Sequence, residues 1–317
     1  MKKILLLLVP LLVALGGCEL TEVEDGTNVS ELQMSVTGLK QLPDTLTYAT
    51  WLTRFDLVSQ SSVSALIDPV DVGTDGSFTL TTSKVSFEQV QASIGVSVTI
   101  EMKSRFNFAS QTEEDSLRKI LKPAGRTILQ GKFGSNALDL TVNNVITDFT
   151  DVSGMFTLLT PTDGNSDQNE TGGIWFADSV DRAGGPLQGL NLQDANTGWS
   201  YYAWVETGGA LLKVGGFTSA GASDDFSDYS ETVAPGLPFP GEDFLLNAPA
   251  GVTFPVNLAG AKVIITAQPD YLSEPTDYIR IMEADIPSNA AGRSTVQMNV
   301  VYEASAPKGS ANIVITH

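Results

Sequence analysis

Hydrophobic and polar residues alternate with a period of two along most of this sequence. Such alternation turns one face of a strand inward and the other toward water, as in antiparallel sheets with one solvated side. Glycine and proline, at 29 and 15 residues, separate the runs and favour a sandwich or a barrel. The chain is therefore predicted to be all-β. The clearest runs are Leu32, Met34 and Val36; Val96, Val98, Ile100 and Met102; Leu138, Leu140 and Val142; and Val296, Met298, Val300 and Tyr302.

Short motifs recur in the same order in the two halves of the chain and predict an internal duplication. The duplication divides the sequence into two related antiparallel β-sandwich (Ig-like) units, 32–147 and 148–317. The matched motifs are Gly38-Leu39 with Gly189-Leu190, Tyr48-x-x-Trp51 with Tyr201-x-x-Trp204, Phe78 and Phe87 with Phe244 and Phe254, Gly95 with Gly260, and Ala124-Gly125-Arg126 with Ala291-Gly292-Arg293.

Two segments depart from the strand pattern. Within 113–121, Leu117, Ile120 and Leu121 share one helical face, which makes this segment the best helix candidate. The duplication would instead align it with 276–282, which favours a strand, so both conformations stay open. In the second unit, the additional stretch 235–244 contains three prolines, which cannot donate to a sheet and predict a stiff loop or an edge.

The repeated Tyr-x-x-Trp motif supplies the most prominent aromatic residues, Tyr48, Trp51, Tyr201 and Trp204. An offset of three residues places the two rings of each pair on opposite faces of a strand. One ring should enter the core, and the other should lie under a loop, against the neighbouring unit or at the surface. Burying an aromatic ring is worth about 4–6 kcal/mol, so core packing explains them; a platform for carbohydrate stacking is the alternative.

The N-terminus predicts export and lipid attachment. Residues 1–17 combine a basic start, an apolar run too short to span a membrane and two small residues, the order of a signal peptide. Leu15-Gly16-Gly17-Cys18 resembles the lipobox of bacterial lipoproteins, which implies cleavage before Cys18 and a lipid that attaches this residue to a membrane. Residues 18–31 form an acidic tether. The predicted location is the bacterial cell envelope, with the outer membrane expected and the leaflet open.

Composition excludes several kinds of function. The chain has 18 Lys and Arg residues against 37 Asp and Glu residues, a net charge of −19, which repels nucleic acid. Its single Cys and single His, Cys18 and His317, cannot build a zinc site, a Ser-His-Asp triad, a Cys-His dyad or an internal disulfide. We therefore assign no catalytic, cofactor-binding or metal-binding residue from the sequence.

Two acidic segments partly resemble calcium loops. Segment 163–170 has oxygen ligands at alternate positions, but Gln168 and Ile174 stand where the turn glycine and the bidentate glutamate belong. A second acidic group comprises Asp224, Asp225 and Asp228. A solvated polar loop is the favoured interpretation of both. Paired carboxylates for glycoside hydrolysis remain the one common enzyme chemistry open without a cofactor, and no particular pair is marked.

Segment 189–217 resembles the extracytoplasmic C-terminal domain of anti-sigma-K factors. The shared features are a Tyr-x-x-Trp-Val strand at 201–205, a glycine-containing turn at 208–209 and a strand ending Gly-x-Phe at 215–217. Uncharacterised envelope proteins with this domain are also similar. The resemblance implies a β-sandwich without enzymatic activity. The chain lacks a sigma-binding segment with His and Cys ligands and a membrane-spanning segment, so direct inhibition of a sigma factor is not expected.

Together these patterns predict a lipid-anchored, non-enzymatic envelope protein that serves as an interaction or structural module. Its expected partners are the membrane, through the lipid on Cys18, and an envelope protein or glycan. One alternative is a carboxylate-dependent glycan-active enzyme or a carbohydrate-binding protein, which requires acids and aromatic rings in one cleft. Another is a component of an envelope-stress sensor, which requires a partner that crosses the membrane.

Overall fold

The computed structural model describes residues 29–56, 60–83, 93–118, 120–165, 168–178, 185–272 and 279–316. The predicted signal peptide, Cys18, tether residues 19–28 and His317 lie outside these ranges. Within them the structure consists mainly of antiparallel strands arranged as packed sheets, so the predicted all-β class is confirmed.

The first sandwich has two four-stranded antiparallel sheets whose inner faces share one core. Sheet one has, in spatial order, β4 (Phe78–Thr82), β1 (Val29–Thr37), β17 (Lys308–Thr316) and β7 (Ala137–Leu140). Sheet two has, in spatial order, β3 (Ser61–Val70), β2 (Leu46–Asp56), β5 (Ser93–Met102) and β6 (Arg126–Lys132).

The ends of the first sandwich differ from the predicted boundaries. Strand β17, which the sequence placed in the second unit, pairs with β1 from Val29–Thr316 to Thr37–Lys308 and with β7 on its other side. Without β17, both β1 and β7 would present open sheet edges, which are prone to wrong pairing. Strand β1 also begins at Val29, so residues 29–31 belong to the sheet rather than to the tether.

The second unit is one nine-stranded sheet. Its strands are β8 (Ser153–Thr157), β9 (Gly173–Trp175), β10 (Leu190–Asn191), β11 (Trp199–Thr207), β12 (Ala210–Phe217), β13 (Gly241–Asp243), β14 (Lys262–Pro269), β15 (Ile279–Asp285) and β16 (Thr295–Val300). Their spatial order is β12-β11-β14-β15-β16-β8-β9-β13, with β10 beside β8. Only Met282–Val300 and Glu283–Asn299 join β15 to β16. Both halves of the sheet contribute side chains to the core, among them Phe156 and Ile265.

The period-two runs predict burial well inside strands and poorly at strand ends. The inward residues of β1, β5 and β7 are buried as expected. Met102 is 58% exposed because it ends β5, where a 3₁₀ turn (Lys103–Phe106) begins, and Val300 is 43% exposed at the end of β16. Tyr302 lies in the short helix α2 (Tyr302–Ser305) rather than in a strand.

Residues 113–118 of the helix candidate are helical, whereas Ile120 and Leu121 lie beyond the end of the helix. Helix α1 (Gln111–Arg118) begins after Ser110, whose hydroxyl accepts the Glu113 N–H at 3.2 Å, and such a cap favours helix initiation. Arg118 anchors its end to β3 by bonding the Asp68 carboxylate at 2.6 Å and the Ile67 carbonyl. The strand that the duplication suggested for this segment is therefore wrong, although residues 279–285 of the aligned region do form β15.

The two units share a strand plan over part of the proposed repeat. The order β3-β2-β5-β6 matches β12-β11-β14-β15, with the hairpin and the third strand in equivalent places. The last pair of matched motifs does not fit this plan. Strand β6, which begins at Arg126, lies directly beside β5, whereas Arg293 precedes β16, which β15 separates from β14.

Candidate functional site

The tyrosines of the repeated motif occupy equivalent positions. Tyr48 on β2 and Tyr201 on β11 are both buried. The Tyr48 hydroxyl donates to the Lys40 carbonyl at 2.9 Å, and the Tyr201 hydroxyl donates to the Gln193 carbonyl at 3.0 Å. Each acceptor lies eight residues before its tyrosine. Each ring therefore ties the loop that precedes its strand to the core.

The tryptophans of the motif also make matching hydrogen bonds. A β-bulge directly precedes each of them in its hairpin. The Trp51 indole N–H donates to the Thr99 hydroxyl at 2.8 Å, and the Trp204 N–H donates to the Thr266 hydroxyl at 3.0 Å. Each threonine lies on the next strand of its sheet. This agreement in detail supports the duplication for these strands.

The surroundings of the two tryptophans differ. Trp51 is fully buried beneath the connection after β5, where Phe106 and Phe108 pack against its cluster. Trp204 stacks on Tyr202, with ring centroids 6.0 Å apart, and lies in the wall of a groove of about 240 Å³. Its side chain is only 4% exposed. All four rings of the motif are packed, and none offers an open face to a sugar.

A cleft of about 760 Å³ opens elsewhere in the second unit. One wall is the proline-containing stretch 235–239, and the other is the segment 223–234 that follows β12. Trp175 of β9 lies against the backbones of Gly236 and Gly241, where an added Cβ atom would come within 2.4 Å of the indole ring. Both positions therefore need glycine for the cleft to keep this shape.

Strand β13 carries two consecutive acidic residues, of which Glu242 belongs to the lining of the cleft. It pairs with β9 so that Glu242 is opposite Ile174 and Asp243 is opposite Gly173. Both acidic side chains are fully buried. Because successive residues of a strand point to opposite faces, the two carboxyl groups meet different partners.

The carboxylate of Asp243 is fully engaged. Its Oδ1 accepts the indole N–H of Trp175 at 2.7 Å, and its Oδ2 accepts both the backbone N–H of Thr162, at 2.8 Å, and the Thr162 hydroxyl. Burial raises the pKa of Asp243 to about 6, against the effect of these hydrogen bonds. Asp243 therefore serves the fold by tying β9 and the 3₁₀ turn Pro161–Asp163 to β13.

Asp224 is the second carboxyl group of the cleft wall. Its Oδ1 accepts the Phe226 N–H at 2.9 Å and its Oδ2 accepts the Gly241 N–H at 2.8 Å. Burial raises its pKa to about 6. These bonds fasten the segment 223–234 to β13 and keep Asp224 beside Glu242, so Asp224 shapes the cleft and contributes to its charge.

Glu242 is the carboxyl group with an unused oxygen. Its Oε1 accepts the Tyr229 N–H at 2.7 Å, whereas its Oε2 is buried without a hydrogen-bond partner among the described residues. Burial and, to a smaller extent, the negative charges of Asp224 and Asp243 raise the pKa of Glu242 to about 8. A buried polar atom without a partner costs about 1–3 kcal/mol. An atom of this kind in a cleft wall is a candidate contact for a ligand.

The surroundings of Glu242 are acidic. The cleft is lined by Asp224, Asp225, Glu231 and Glu242, and no Lys or Arg side chain belongs to the lining. One lysine, Lys213, reaches its rim, with Nζ 3.2 Å from Asp225 and 4.8 Å from the centroid of the Phe226 ring.

The acidic loops considered for calcium have other roles. Asp163 accepts the Asn165 N–H at 2.7 Å, which closes a turn, and residues 166–167 of that loop lie outside the described ranges. Asp224 points into the protein, whereas Asp228 is exposed. Across the part of the chain that the structure describes, no three His, Cys, Asp or Glu side chains are arranged to hold a metal ion.

The sequence pattern does not single out Glu242, Asp243 or Trp175. The one signal is the position of two acidic residues between Gly241 and Phe244, directly after the three prolines and inside an apolar stretch. Acidic residues in such surroundings are rarely buried without a partner. Only the tertiary structure shows which of the two acids has its partners.

Comparison with known proteins identifies no relative of this chain: no protein-family model, no curated protein and no solved structure matches it. The resemblance to the anti-sigma-K domain therefore stays a prediction. None of the helices in the described ranges has the length and apolar character that a membrane crossing requires.

Proposed function

We propose that this chain is a non-enzymatic, lipid-anchored envelope protein that binds an envelope ligand in the cleft between 223–234 and 235–239. The observation that carries this proposal is Glu242, which lines the cleft and whose buried Oε2 has no hydrogen-bond partner among the described residues. A ligand that bonds this atom recovers the free energy that its burial costs. Lipid attachment through Cys18 and location in the cell envelope rest on the lipobox-like motif alone.

Binding fits the arrangement of the acids better than catalysis does. A glycosidase needs two carboxyl groups about 5–10 Å apart that both reach the scissile bond. Both oxygens of Asp224 and of Asp243 already accept hydrogen bonds from the protein. Among Asp224, Glu242 and Asp243, only Glu242 has an oxygen without a hydrogen-bond partner in the described residues, and this side chain is fully buried.

A carbohydrate-active enzyme is the second candidate function, because acids and aromatic rings do line one cleft. Phe226 and Phe239 are half-buried in the lining together with Asp224 and Glu242. This combination is the one that glycan recognition and hydrolysis require. No observation in the described residues favours the sensor alternative.

Titration of the purified full chain with soluble peptidoglycan fragments tests the proposal. Trp175 lies in the cleft, so a ligand should change tryptophan fluorescence in a saturable way. The fragments should keep their mass after long incubation with the protein. Glu242→Gln should weaken the response, and Glu206→Gln, in the groove beside Trp204, should leave it unchanged. Shortened fragments would favour the enzyme, and a response independent of Glu242 would contradict the assigned site.

A further inference from the structure

This inference rests on the proposed function and concerns the chemistry of the ligand that the cleft binds. We propose that the cleft recognises a primary ammonium group, which bonds Oε2 of Glu242. The group could be supplied by a lysine side chain, an alkyl diamine or an amino sugar, which share this chemistry.

The charge of the cleft selects a cation. Among the described residues, four acidic residues and no basic residue contribute to its lining, and the whole chain carries a charge of −19. An anionic ligand would meet unfavourable potential here, whereas a cation would be attracted. The chain itself offers an example, because the ammonium group of Lys213 bonds Asp225 and lies over the Phe226 ring at the cleft rim.

The hydrogen-bonding state of Glu242 selects an ammonium group among cations. Oε1 already accepts the Tyr229 N–H, so Oε2 is the oxygen that can accept from a ligand once Glu242 is ionised. Guanidinium groups bind best when both carboxylate oxygens accept in parallel, whereas an ammonium group is a compact charge that needs one acceptor. A divalent metal ion would need several oxygen ligands, and no three acids of the described residues are arranged to hold one.

Access to Oε2 requires a small movement. Glu242 lies in the cleft wall but is fully buried, so the ligand must displace a covering side chain. Of the two walls, stretch 235–239 is the one that can move, because segment 223–234 is bonded to β13 through Asp224 and through the Tyr229 N–H. Three of the five residues of this stretch, Pro235, Gly236 and Pro238, are exposed.

Binding must couple to proton release. The titratable groups that face Glu242 are Asp224, Asp243 and Tyr229, and burial together with the two aspartates keeps Glu242 mostly protonated at pH 7. An ammonium group favours the ionised carboxylate, so its binding lowers the pKa of Glu242 and expels close to one proton. The affinity should rise about tenfold per pH unit between pH 6 and 7.5 and level off above pH 8.

Calorimetry on the full chain tests this proposal with matched pairs of probes. The amines are 1,5-diaminopentane, Nα-acetyl-lysine methylamide and glucosamine, and their neutral twins are 1,5-pentanediol, the Nε-acetylated lysine derivative and N-acetylglucosamine. At least one amine should bind, and its twin should not. Titration in two buffers of different ionisation enthalpy measures the proton release. The amine that binds best identifies the source as peptide, diamine or amino sugar.

Variants locate the binding event. Glu242→Gln should lower the affinity for the amine by at least about tenfold and abolish the proton release. Glu206→Gln, in the separate groove, should change neither. If Glu242→Gln does not fold, measurements on the wild-type protein still test the proposal, because proton release and its pH dependence are measured without a variant.

The outcomes separate this proposal from the function on which it rests. Equal binding of amines and neutral twins, or amine binding without proton release, would overturn ammonium recognition. Binding of peptidoglycan fragments without any affinity for the amines would overturn it too, while the proposed binding function would stand. A chain that binds neither amines nor fragments would refute both.

Discussion

Glu242 and Asp243 are neighbours in a strand of three residues, yet their carboxyl groups have opposite roles. Asp243 accepts three hydrogen bonds and holds two elements to β13. Glu242 accepts one from Tyr229, and its Oε2 is buried without a hydrogen-bond partner among the described residues. The alternation of side chains along a strand is enough to separate the structural role of Asp243 from the proposed binding role of Glu242.

The raised pKa of Glu242 predicts that the protein is more stable in mild acid. An acid whose folded pKa lies above its unfolded pKa binds more protons when folded, so its contribution to stability is complete below about pH 4.5 and is lost as the pH rises through about 8. Denaturant unfolding at pH 5 and pH 8 should show a loss of a few kcal/mol at the higher pH.

Glu242→Gln serves as the control for this pH dependence. The amide has nearly the same shape and no charge, so the variant should lose less stability than the wild type between pH 5 and 8. The part of the dependence that remains belongs to Asp224 and Asp243, whose pKa values are each raised to about 6. Identical pH profiles for the two proteins would show that Glu242 does not titrate in this range.

Trp51 permits a second prediction at the residue scale. Its ring is fully buried, and its N–H bonds Thr99, so Trp51→Ala removes both apolar contact and a buried hydrogen bond. The free energy of unfolding should fall by about 3–5 kcal/mol, measured by denaturant titration. Ile120→Ala is the matched control, because Ile120 is 69% exposed and its loss should cost under about 0.5 kcal/mol. Unchanged stability of Trp51→Ala would rule out a packing role.

At the scale of elements, the connection between β5 and β6, which contains helix α1, covers Trp51 on the outer face of sheet two with Phe106, Phe108 and Leu121. The strand pattern alone could not predict this. Glu101 lies on the face that the alternation assigns to water, but it is buried there and bonds Arg105. A period of two predicts the inner face of a strand, whereas the cover on its outer face depends on a distant connection.

Arg118 should be essential for holding the connection between β5 and β6 against sheet two. Its guanidinium group bonds Asp68 and Glu114 and the Ile67 carbonyl, so Arg118→Ala removes the hydrogen bonds that join the end of the helix to β3. We expect a loss of about 1–3 kcal/mol and a red shift of tryptophan emission as Trp51 becomes wetter. Lys103→Ala, at an exposed position, should change neither property. A variant with wild-type emission would show that the helix stays docked without Arg118.

The sequence predicts local features of the elements better than their long-range partners. Leu32, Met34 and Val36 are buried as their alternation requires, and the Tyr-x-x-Trp motif forms the same hydrogen bonds in both units. Neither the return of β17 to the first sandwich nor the buried acids of β13 follows from local pattern. Both depend on contacts between residues far apart in the chain, which no local rule contains.

At the scale of the whole molecule, β17 links the end of the chain to its beginning. Ala311 of β17 is fully buried between the sheets, whereas its neighbour Asn312 is exposed. Ala311→Asp should therefore prevent stable folding of the first sandwich, because an unpaired charge in a core costs several kcal/mol, and Asn312→Asp should be tolerated. Thermal unfolding measures the difference, and equal melting temperatures would mean that the sandwich does not depend on β17.

The proposed lipid attachment depends on one atom, the sulfur of Cys18, which lies outside the described residues. If the Cys18 sulfur carries a lipid, every other part of the protein is held at the membrane through the short stretch 19–28, since the charge of −19 gives no attraction to an anionic bilayer. Cys18→Ser should therefore move the protein from the membrane fraction to the soluble fraction after cell disruption. The mass of the wild-type protein should exceed that of its polypeptide by the acyl groups, and the variant should lack this excess.

Two further measurements distinguish loss of the anchor from loss of the fold. Cys18→Ser should retain the melting temperature of the wild type after detergent extraction, because the position precedes the first strand, which begins at Val29. It should also retain its response to ligand, since the cleft lies in the second unit. Membrane retention of a folded Cys18→Ser variant would show that something other than a lipid holds this protein, and the proposed location would then need a different physical basis.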